Sequence, residues 1–368
     1  MEWKGEKIKE LTKEKKMSLV RLSELTGVSR QTVNGWIKGQ VPKGTHLLSL
    51  CKIFQISPDY FFSDESDSSI SVPAHRTRRK TKVTPELQKD AYALAREYAI
   101  FFKNDQNPSV LPVARIRSRD ENVVKEIASD LRKRSGITGS EDPLNYEHTF
   151  RLLANLGIKV IFRYFPEKLK AYAFFTKIHG HRVVFVNNSI NVLDLIFPLI
   201  HEAVHAIRDE VHISDVFDSE EEDFCDDVAN HTQFPDEYVN WVYKNIKGAG
   251  AAIQIITLKK FANKYRHSLY GLVKRIKSFY PDFDLKIGGA DTNLKKRFPT
   301  VGKVLFKEDD PRFFVQNISI LSPLFFNMLI DRLETISDRK LGELLDIESY
   351  LDIQLVRDEL IKMRKVPG

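Results

Sequence analysis

From Ser18 to Ile37 the chain reads Ser-Leu-Val-Arg-Leu-Ser-Glu-Leu-Thr-Gly-Val-Ser-Arg-Gln-Thr-Val-Asn-Gly-Trp-Ile. Ser18 and Ser29 stand where helix N-caps are expected, and Gly27 allows a sharp turn between two short helices. Apolar residues at helical spacing are predicted to hold these helices together: Leu22, Leu25, Val28, Val33 and Trp36. The segment therefore predicts a helix–turn–helix motif whose second helix faces outward.

The second helix of this motif, Ser29–Ile37, carries side chains that suit nucleic acid. Arg, Gln and Asn pair with base edges, whereas Lys contacts phosphates. The predicted DNA-contacting residues are Ser29, Arg30, Gln31, Thr32, Asn34 and Lys38. Together with the helix predicted downstream, the segment resembles the Xre family of lambda-repressor-like helix–turn–helix domains. The resemblance implies a domain over residues 1–62 that binds double-stranded DNA.

Positive charge is concentrated at this end of the chain. Residues 1–82 hold 16 Lys or Arg and 9 Asp or Glu, whereas the other 286 residues hold 41 of each sign. A polar stretch at 63–71 and a basic run at 75–82 predict a linker over residues 63–84. A basic N-terminal segment, followed by a longer segment with no net charge, indicates a polyanionic partner, usually a nucleic acid.

The composition excludes several other classes of protein. With 368 residues, 42% hydrophobic and 29% charged, the chain suits two or three globular domains and is neither disordered nor collagen-like. Cys51 and Cys225 lie far apart and outside any CxxC, so no disulfide framework is expected. The longest mostly apolar run, Val192–Ile200, is too short to span a bilayer. We therefore expect a cytoplasmic protein without a membrane partner.

A second motif lies in the middle of the chain, in the apolar segment Leu199-Ile-His-Glu-Ala-Val-His-Ala-Ile207. On a helix, His201 and His205 lie about 40° apart, so both imidazoles can reach one zinc ion. Glu202 stands beside that position, where it can take a proton from water. The HExxH pattern predicts Zn²⁺ as cofactor, His201 and His205 as ligands and Glu202 as the catalytic base.

A catalytic zinc site requires a third protein ligand and an open position. The segment 209–227, which follows the HExxH motif, contains ten Asp or Glu and no Lys or Arg. From composition alone the candidates stay open: Glu220, Glu221, Glu222, Asp223, Asp226 and Asp227. His212 is a weaker alternative, and Cys225 is expected to be a packed thiol within reach of the site.

The segment 222–235, Glu-Asp-Phe-Cys-Asp-Asp-Val-Ala-Asn-His-Thr-Gln-Phe-Pro, resembles the signature of the ImmA/IrrE family of zinc metallopeptidases. Asn155-Leu-Gly-Ile-Lys-Val160 and Phe197-Pro-Leu-Ile-His-Glu202 extend the likeness, which covers about residues 76–280. The resemblance implies that Glu222 is the third zinc ligand. Asp226 lies about 40° from Glu222 on the same helix. It is the second candidate for the third ligand, or a residue that contacts a ligand without binding the metal itself.

The predicted fold is α+β and mostly helical. A zincin-like peptidase domain is expected over residues 85–245, with a small antiparallel sheet and the HExxH helix. A helical C-terminal region follows over 246–368, with a helix–turn–helix-like element whose cations suit either phosphates or solvent. The strand Arg182–Asn187 is predicted to offer an edge to a substrate peptide. Pro198 either kinks the HExxH helix or marks its start.

These patterns together predict a DNA-binding regulatory zinc metallopeptidase of the gluzincin-like HExxH type. The resemblance implies cleavage of a transcriptional repressor or a similar regulator. Two alternatives stay open. In one, the peptidase-like domain is a sensor or dimerisation module that does not cleave; in the other, the protein is a toxin–antitoxin-like component. Double-stranded DNA and a protein substrate are the expected partners, and a homodimer is considered as an assembly.

Overall fold

The computed structural model describes residues 3–54, 61, 70–71, 85–103, 119–139, 141–208, 219–306 and 310–364. The chain divides into two compact units, Met1–Ser68 and Ser69–Gly368. The basic run 75–82 and His212 lie outside the described residues.

The first unit is built from four helices in its described part: α1 (Glu6–Glu14), α2 (Leu19–Thr26), α3 (Arg30–Ile37) and α4 (Gly44–Phe54). Ser18 and Ser29 cap α2 and α3, since their hydroxyls accept the backbone N–H of Arg21 and Thr32, each at 3.1 Å. Gly27 ends α2 in the left-handed region with φ of 67°. The predicted caps and turn are confirmed.

A small core holds the helices of the first unit together. Leu22 and Val33 are fully buried and Trp36 is nearly so. The indole N–H of Trp3 donates to the carbonyl oxygen of Trp36 at 2.7 Å. The prediction for Leu25 was wrong: its side chain is 45% exposed, because the buried stripe of α2 runs through Leu22, Ser23 and Thr26.

The second unit contains a four-stranded sheet in the order β1-β3-β4-β2. Its strands are β1 (Ile70–Ser71), β2 (Lys159–Arg163), β3 (Ala173–Ile178) and β4 (His181–Asn187). β3 pairs antiparallel with β1 and β4, whereas β2 pairs parallel with β4.

Three sequence predictions about this sheet are corrected. The sheet is mixed and not antiparallel, because the chain passes from β2 to β3 across β4 and returns through a tight turn. β4, predicted to offer an edge, lies between two strands and is buried along its length. Ile70–Ser71, inside the predicted linker, forms an edge strand on β3. The turn between β3 and β4 uses His179 and Gly180 at φ of 50° and 80°.

Helices make up most of the second unit. They are α5 (Pro85–Glu97), α6 (Ala99–Lys103), α7 (Glu121–Arg134), α8 (Tyr146–Asn155), α9 (Ile196–Ile207), α10 (Ser219–Gln233), α11 (Asp236–Ile246), α12 (Ala251–Tyr265), α13 (Leu269–Phe279), α14 (Ala290–Lys295), α15 (Val301–Leu305), α16 (Pro311–Leu321), α17 (Pro323–Asp331), α18 (Asp338–Leu345) and α19 (Tyr350–Arg364). Pro198 lies in the first turn of α9, where its missing N–H costs no helical hydrogen bond.

Two hydrophobic cores organise this unit. The larger one joins the sheet and α9 to helices near the C-terminus, and the hydroxyl of Tyr98 donates to the carbonyl of Leu344 within it at 2.9 Å. The smaller one lies among α11, α12, α13 and α14. The cores do not follow the predicted division between 245 and 246, because α15 to α19 pack on the core of the sheet.

No single helix among the described residues is both long and apolar enough to cross a membrane. Only α16 and α17 taken together meet the criteria of length and composition, and they are bent by 117° at the break between them. Both helices contribute buried residues to the larger core.

Candidate metal centre

Helices α9 and α10 position the side chains of the predicted metal site. His201, Glu202 and His205 lie on α9, whose apolar residues are buried in the larger core. Glu222 lies in the first turns of α10 and is 2% exposed. The guanidinium of Arg208, at the end of α9, donates to Glu221 of α10 at 2.7 Å. This ion pair holds the two helices together beside the site.

The structure brings His201, His205 and Glu222 to one point. The two Nε2 atoms of the histidines lie 3.1 Å apart. Glu222 places Oε1 at 3.2 Å from Nε2 of His205 and Oε2 at 3.4 Å from Nε2 of His201. Glu222 thus directs one carboxylate oxygen at each histidine nitrogen, and the three side chains converge at one place.

These distances fit a zinc ion. Tetrahedral ligands at about 2.0–2.1 Å from zinc lie about 3.3–3.4 Å from one another. Two neutral imidazoles and one carboxylate are also a common ligand set for a catalytic zinc site with an open position. Glu222, the third ligand implied by the family resemblance, is the acid that the structure places here.

The other nitrogen of each histidine faces a second side chain of α10. Nδ1 of His201 lies 3.1 Å from Oδ1 of Asp226. Nδ1 of His205 lies 3.6 Å from the sulfur of Cys225. A carboxylate that accepts the Nδ1–H of a histidine leaves its Nε2 lone pair for a metal and fixes the ring. Asp226 therefore lies beside the nitrogen of His201 that does not face Glu222.

The charge state of the site follows from these contacts. Burial lowers the pKa of His201, but the adjacent carboxylates of Asp226 and Glu222 outweigh this effect and raise it to about 10. A metal that binds His201 must therefore displace a proton. Burial, with Glu221 and Glu222 nearby, raises the pKa of the Cys225 thiol well above its usual value. Cys225 is consequently a neutral, packed thiol, as its sequence context indicates.

Glu202 is held against the sheet. Its Oε2 accepts the backbone N–H of Phe175 in β3 at 2.8 Å, and the side chain is 4% exposed. This contact fixes the carboxylate of Glu202, the residue next to His201 on α9, against the edge of β3. The sequence contains no signal for it, because the partner is a backbone amide of a distant strand.

The remaining acids of the predicted set lie elsewhere. Glu221 pairs with Arg208 and, at 3.0 Å, with Arg119. Glu220, Asp223 and Asp227 are exposed. A second donor set, formed by His205, Glu221 and Cys225, also converges, but its carboxylate is already engaged by two guanidinium groups. The set with Glu222 is therefore the better metal site.

The predicted DNA-contacting residues lie on the outer side of α3. Arg30, Gln31 and Lys38 are exposed, and Thr32 and Asn34 are partly exposed. Ser29 is also exposed, and its hydroxyl caps the helix. The opposite side of α3 carries Val33 and Trp36 into the core.

Residues 8–61 match the helix-turn-helix family model. The N-terminal unit is a helix–turn–helix domain. The match supports a DNA-binding transcriptional regulator, and it covers none of the second unit. No curated protein and no solved structure matches the chain.

Proposed function

We propose that the protein is a DNA-binding transcriptional regulator that cleaves a regulatory protein at a zinc site formed by His201, His205 and Glu222. The observation that supports the peptidase half is the convergence of two histidine nitrogens and the Glu222 carboxylate, with Glu202 next to His201 on the same helix. The family-model match at residues 8–61 supports the DNA-binding half.

In this proposal the side chains of α9 and α10 have separate roles in peptide hydrolysis. A bound zinc ion would polarise the peptide carbonyl and lower the pKa of water towards about 7. Asp226, with Oδ1 at 3.1 Å from Nδ1 of His201, would accept its N–H and orient the ring. Glu202 accepts the proton of the attacking water on a carboxylate oxygen and then delivers it to the departing amine.

The sheet supports a peptide as substrate. β1 pairs with β3 only at Lys177 and Ile178, so within the described residues Ala173–Thr176 of β3 have no strand on the side away from β4. The amide of Phe175 on this edge already contacts Glu202. An extended peptide that added to this edge would bring its backbone to the catalytic base.

One observation favours the sensor alternative. The bond between Glu202 and the Phe175 amide ties the proposed base into the fold, and Glu202 is nearly inaccessible. A zinc site that only stabilised the structure would tolerate so little access, whereas a base needs the other carboxylate oxygen of Glu202 to meet water. Metal dependence without cleavage would select this alternative.

The direct test is metal analysis of the purified protein together with a cleavage assay. We expect stoichiometric zinc and cleavage of a small repressor encoded beside the gene, with loss of both on chelation. Stoichiometric zinc without cleavage of the repressor would support the sensor; absence of zinc would refute the metal site itself.

The DNA half makes a separate prediction. Replacing Gln31 and Asn34 with Ala should reduce discrimination between sequences by about 1–3 kcal/mol for each lost base contact. Lys38→Ala should instead weaken binding to all sequences alike, because phosphate contacts carry no sequence information. Selection of bound sequences from a random pool, followed by titration of the variants, measures both effects. Unchanged sequence preference in the double variant would exclude α3 as the reading helix.

A further inference from the structure

A second concentration of positive charge lies far along the sequence from residues 1–82. Residues 244–303 hold 14 Lys or Arg and three Asp or Glu, a balance of +11. The rest of the second unit is correspondingly acidic, so the neutral total of the sequence beyond residue 82 hides this segment. The segment covers most of the smaller core, from the end of α11 to α15.

Some cations of this segment pair with carboxylates of the second unit, and others do not, within the part of the chain that the structure describes. Arg275 is buried and pairs with Asp236, and Lys274 lies 3.6 Å from Asp226. Lys295 pairs with Asp194 at 2.7 Å and with Asp291 at 2.5 Å. These cations are neutralised within the fold.

Four others form a surface group that we call the cationic platform: Lys264, Arg266, Lys296 and Arg297. All four are exposed. Among the described residues, no carboxylate forms an ion pair with any of them, and the nearby Asp291 is taken by Lys295. Lys264 donates to the hydroxyl of Tyr265 and Arg266 packs on Phe298, but neither contact supplies a negative charge. A partner outside the chain would explain the position of these four cations.

Specific contacts bring the two halves of the platform together. The guanidinium of Arg266, in the turn between α12 and α13, lies 5.1 Å from the ring centre of Phe298. Phe298 follows Lys296 and Arg297 directly at the end of α14. The turn that carries Lys264 and Arg266 and the chain that carries Lys296 and Arg297 are therefore neighbours in the fold.

The backbone beneath the platform is held in place. The side-chain amide of Asn191 donates to the carbonyls of Lys295 and Phe298 at 2.9 and 3.0 Å. Arg266 takes a left-handed conformation with φ of 56°, while the next residue, His267, is fully buried against the hydroxyl of Tyr238 at 2.9 Å. A non-glycine residue in this region indicates a turn imposed by its surroundings. The backbone that carries the cations is thus fixed, which lowers the entropic cost of binding.

We propose that the cationic platform is a second contact for the phosphate backbone of duplex DNA. The choice of duplex DNA rests on the proposed DNA-binding function, because a chain tethered by its helix–turn–helix domain meets DNA phosphates at a high effective concentration. Fixed cations without carboxylate partners suit a backbone that carries one charge per phosphate and releases counterions on contact.

The test measures binding of the full chain to a random-sequence duplex over a range of salt concentrations. In the platform variant, Lys264, Arg266, Lys296 and Arg297 are all replaced by Gln. Its salt slope should fall by about 3–4 and its affinity by about 10²–10³ at 0.1 M salt, since each phosphate contact contributes about 0.9 to the slope. A second variant, Arg266→Lys with Arg297→Lys, keeps the charges and should retain most of the slope.

The matched control replaces four exposed lysines outside the platform with Gln: Lys103, Lys133, Lys168 and Lys170. It removes the same net charge and should leave the slope nearly unchanged. Wild-type binding by the platform variant, or an equal loss in the control, would overturn the proposal. If the platform variant lost binding to single-stranded RNA but kept its binding to duplex DNA, duplex DNA would be the wrong partner. Failure of the helix–turn–helix function is distinguishable, because it shows as unchanged sequence preference in the Gln31 and Asn34 variant.

Discussion

Peptide cleavage by the Glu202→Gln variant is expected to fall about 10²–10⁴-fold, the usual contribution of a positioned general base. Glutamine keeps the size of the side chain, and its carbonyl oxygen can still accept the N–H of Phe175, so the fold and the metal content should not change. Single-turnover cleavage and metal content, measured on the same preparation, give the result.

The matched control is Glu220→Gln, which removes an exposed acid from the start of α10. It should cleave like the wild type. If Glu202→Gln also cleaved like the wild type, Glu202 would not be the base. If the variant kept normal regulation in a reporter strain while His201→Ala and His205→Ala abolished it, the enzyme proposal would be abandoned in favour of the sensor.

Zinc affinity should separate Glu222 from Asp226. Glu222→Gln is expected to lose stoichiometric zinc, as are His201→Ala and His205→Ala, because each removes one of the three proposed ligands. Asp226→Asn should weaken zinc binding by only about 10–100-fold, because Asp226 contacts Nδ1 of His201 and not the Nε2 that is proposed to bind zinc. Competition with a chromophoric chelator measures all four variants.

Asp227→Asn is the control for this series, because Asp227 is an exposed neighbour of Asp226. Its zinc affinity should equal that of the wild type. A ranking in which Asp226→Asn loses zinc and Glu222→Gln retains it would assign the third ligand to Asp226. It would also remove the alignment with the family signature on which Glu222 was chosen.

Local patterns predicted the parts of this protein that depend on residues close in sequence. The caps Ser18 and Ser29 and the turn at Gly27 were readable because a helix end is decided by its first and last few residues. The same holds for His201 and His205, which are neighbours on any helix. Composition could not choose among the acids of the segment 209–227, and only the family resemblance singled out Glu222.

Patterns within one segment failed where the answer depended on a distant one. The strand Arg182–Asn187 was readable as a strand, but its apolar run could not show that strands pair with it on both sides. Leu25 fitted the helical period of the first core but lies outside it. Total charge beyond residue 82 was neutral, and this average concealed the positive segment 244–303.

By itself, the sequence determined the helix–turn–helix domain, the helix that carries HExxH and the types of side chain available to hold a metal. Only the tertiary structure decided that Glu222 contacts both histidines and that Asp226 lies beside Nδ1 of His201. It also decided that the Phe175 amide contacts Glu202 and that Arg266 packs on Phe298, which follows the cations at the end of α14. The physical reason is the range of the interactions: capping and helical period act within a few residues, whereas these contacts form only when separate elements pack on a common core.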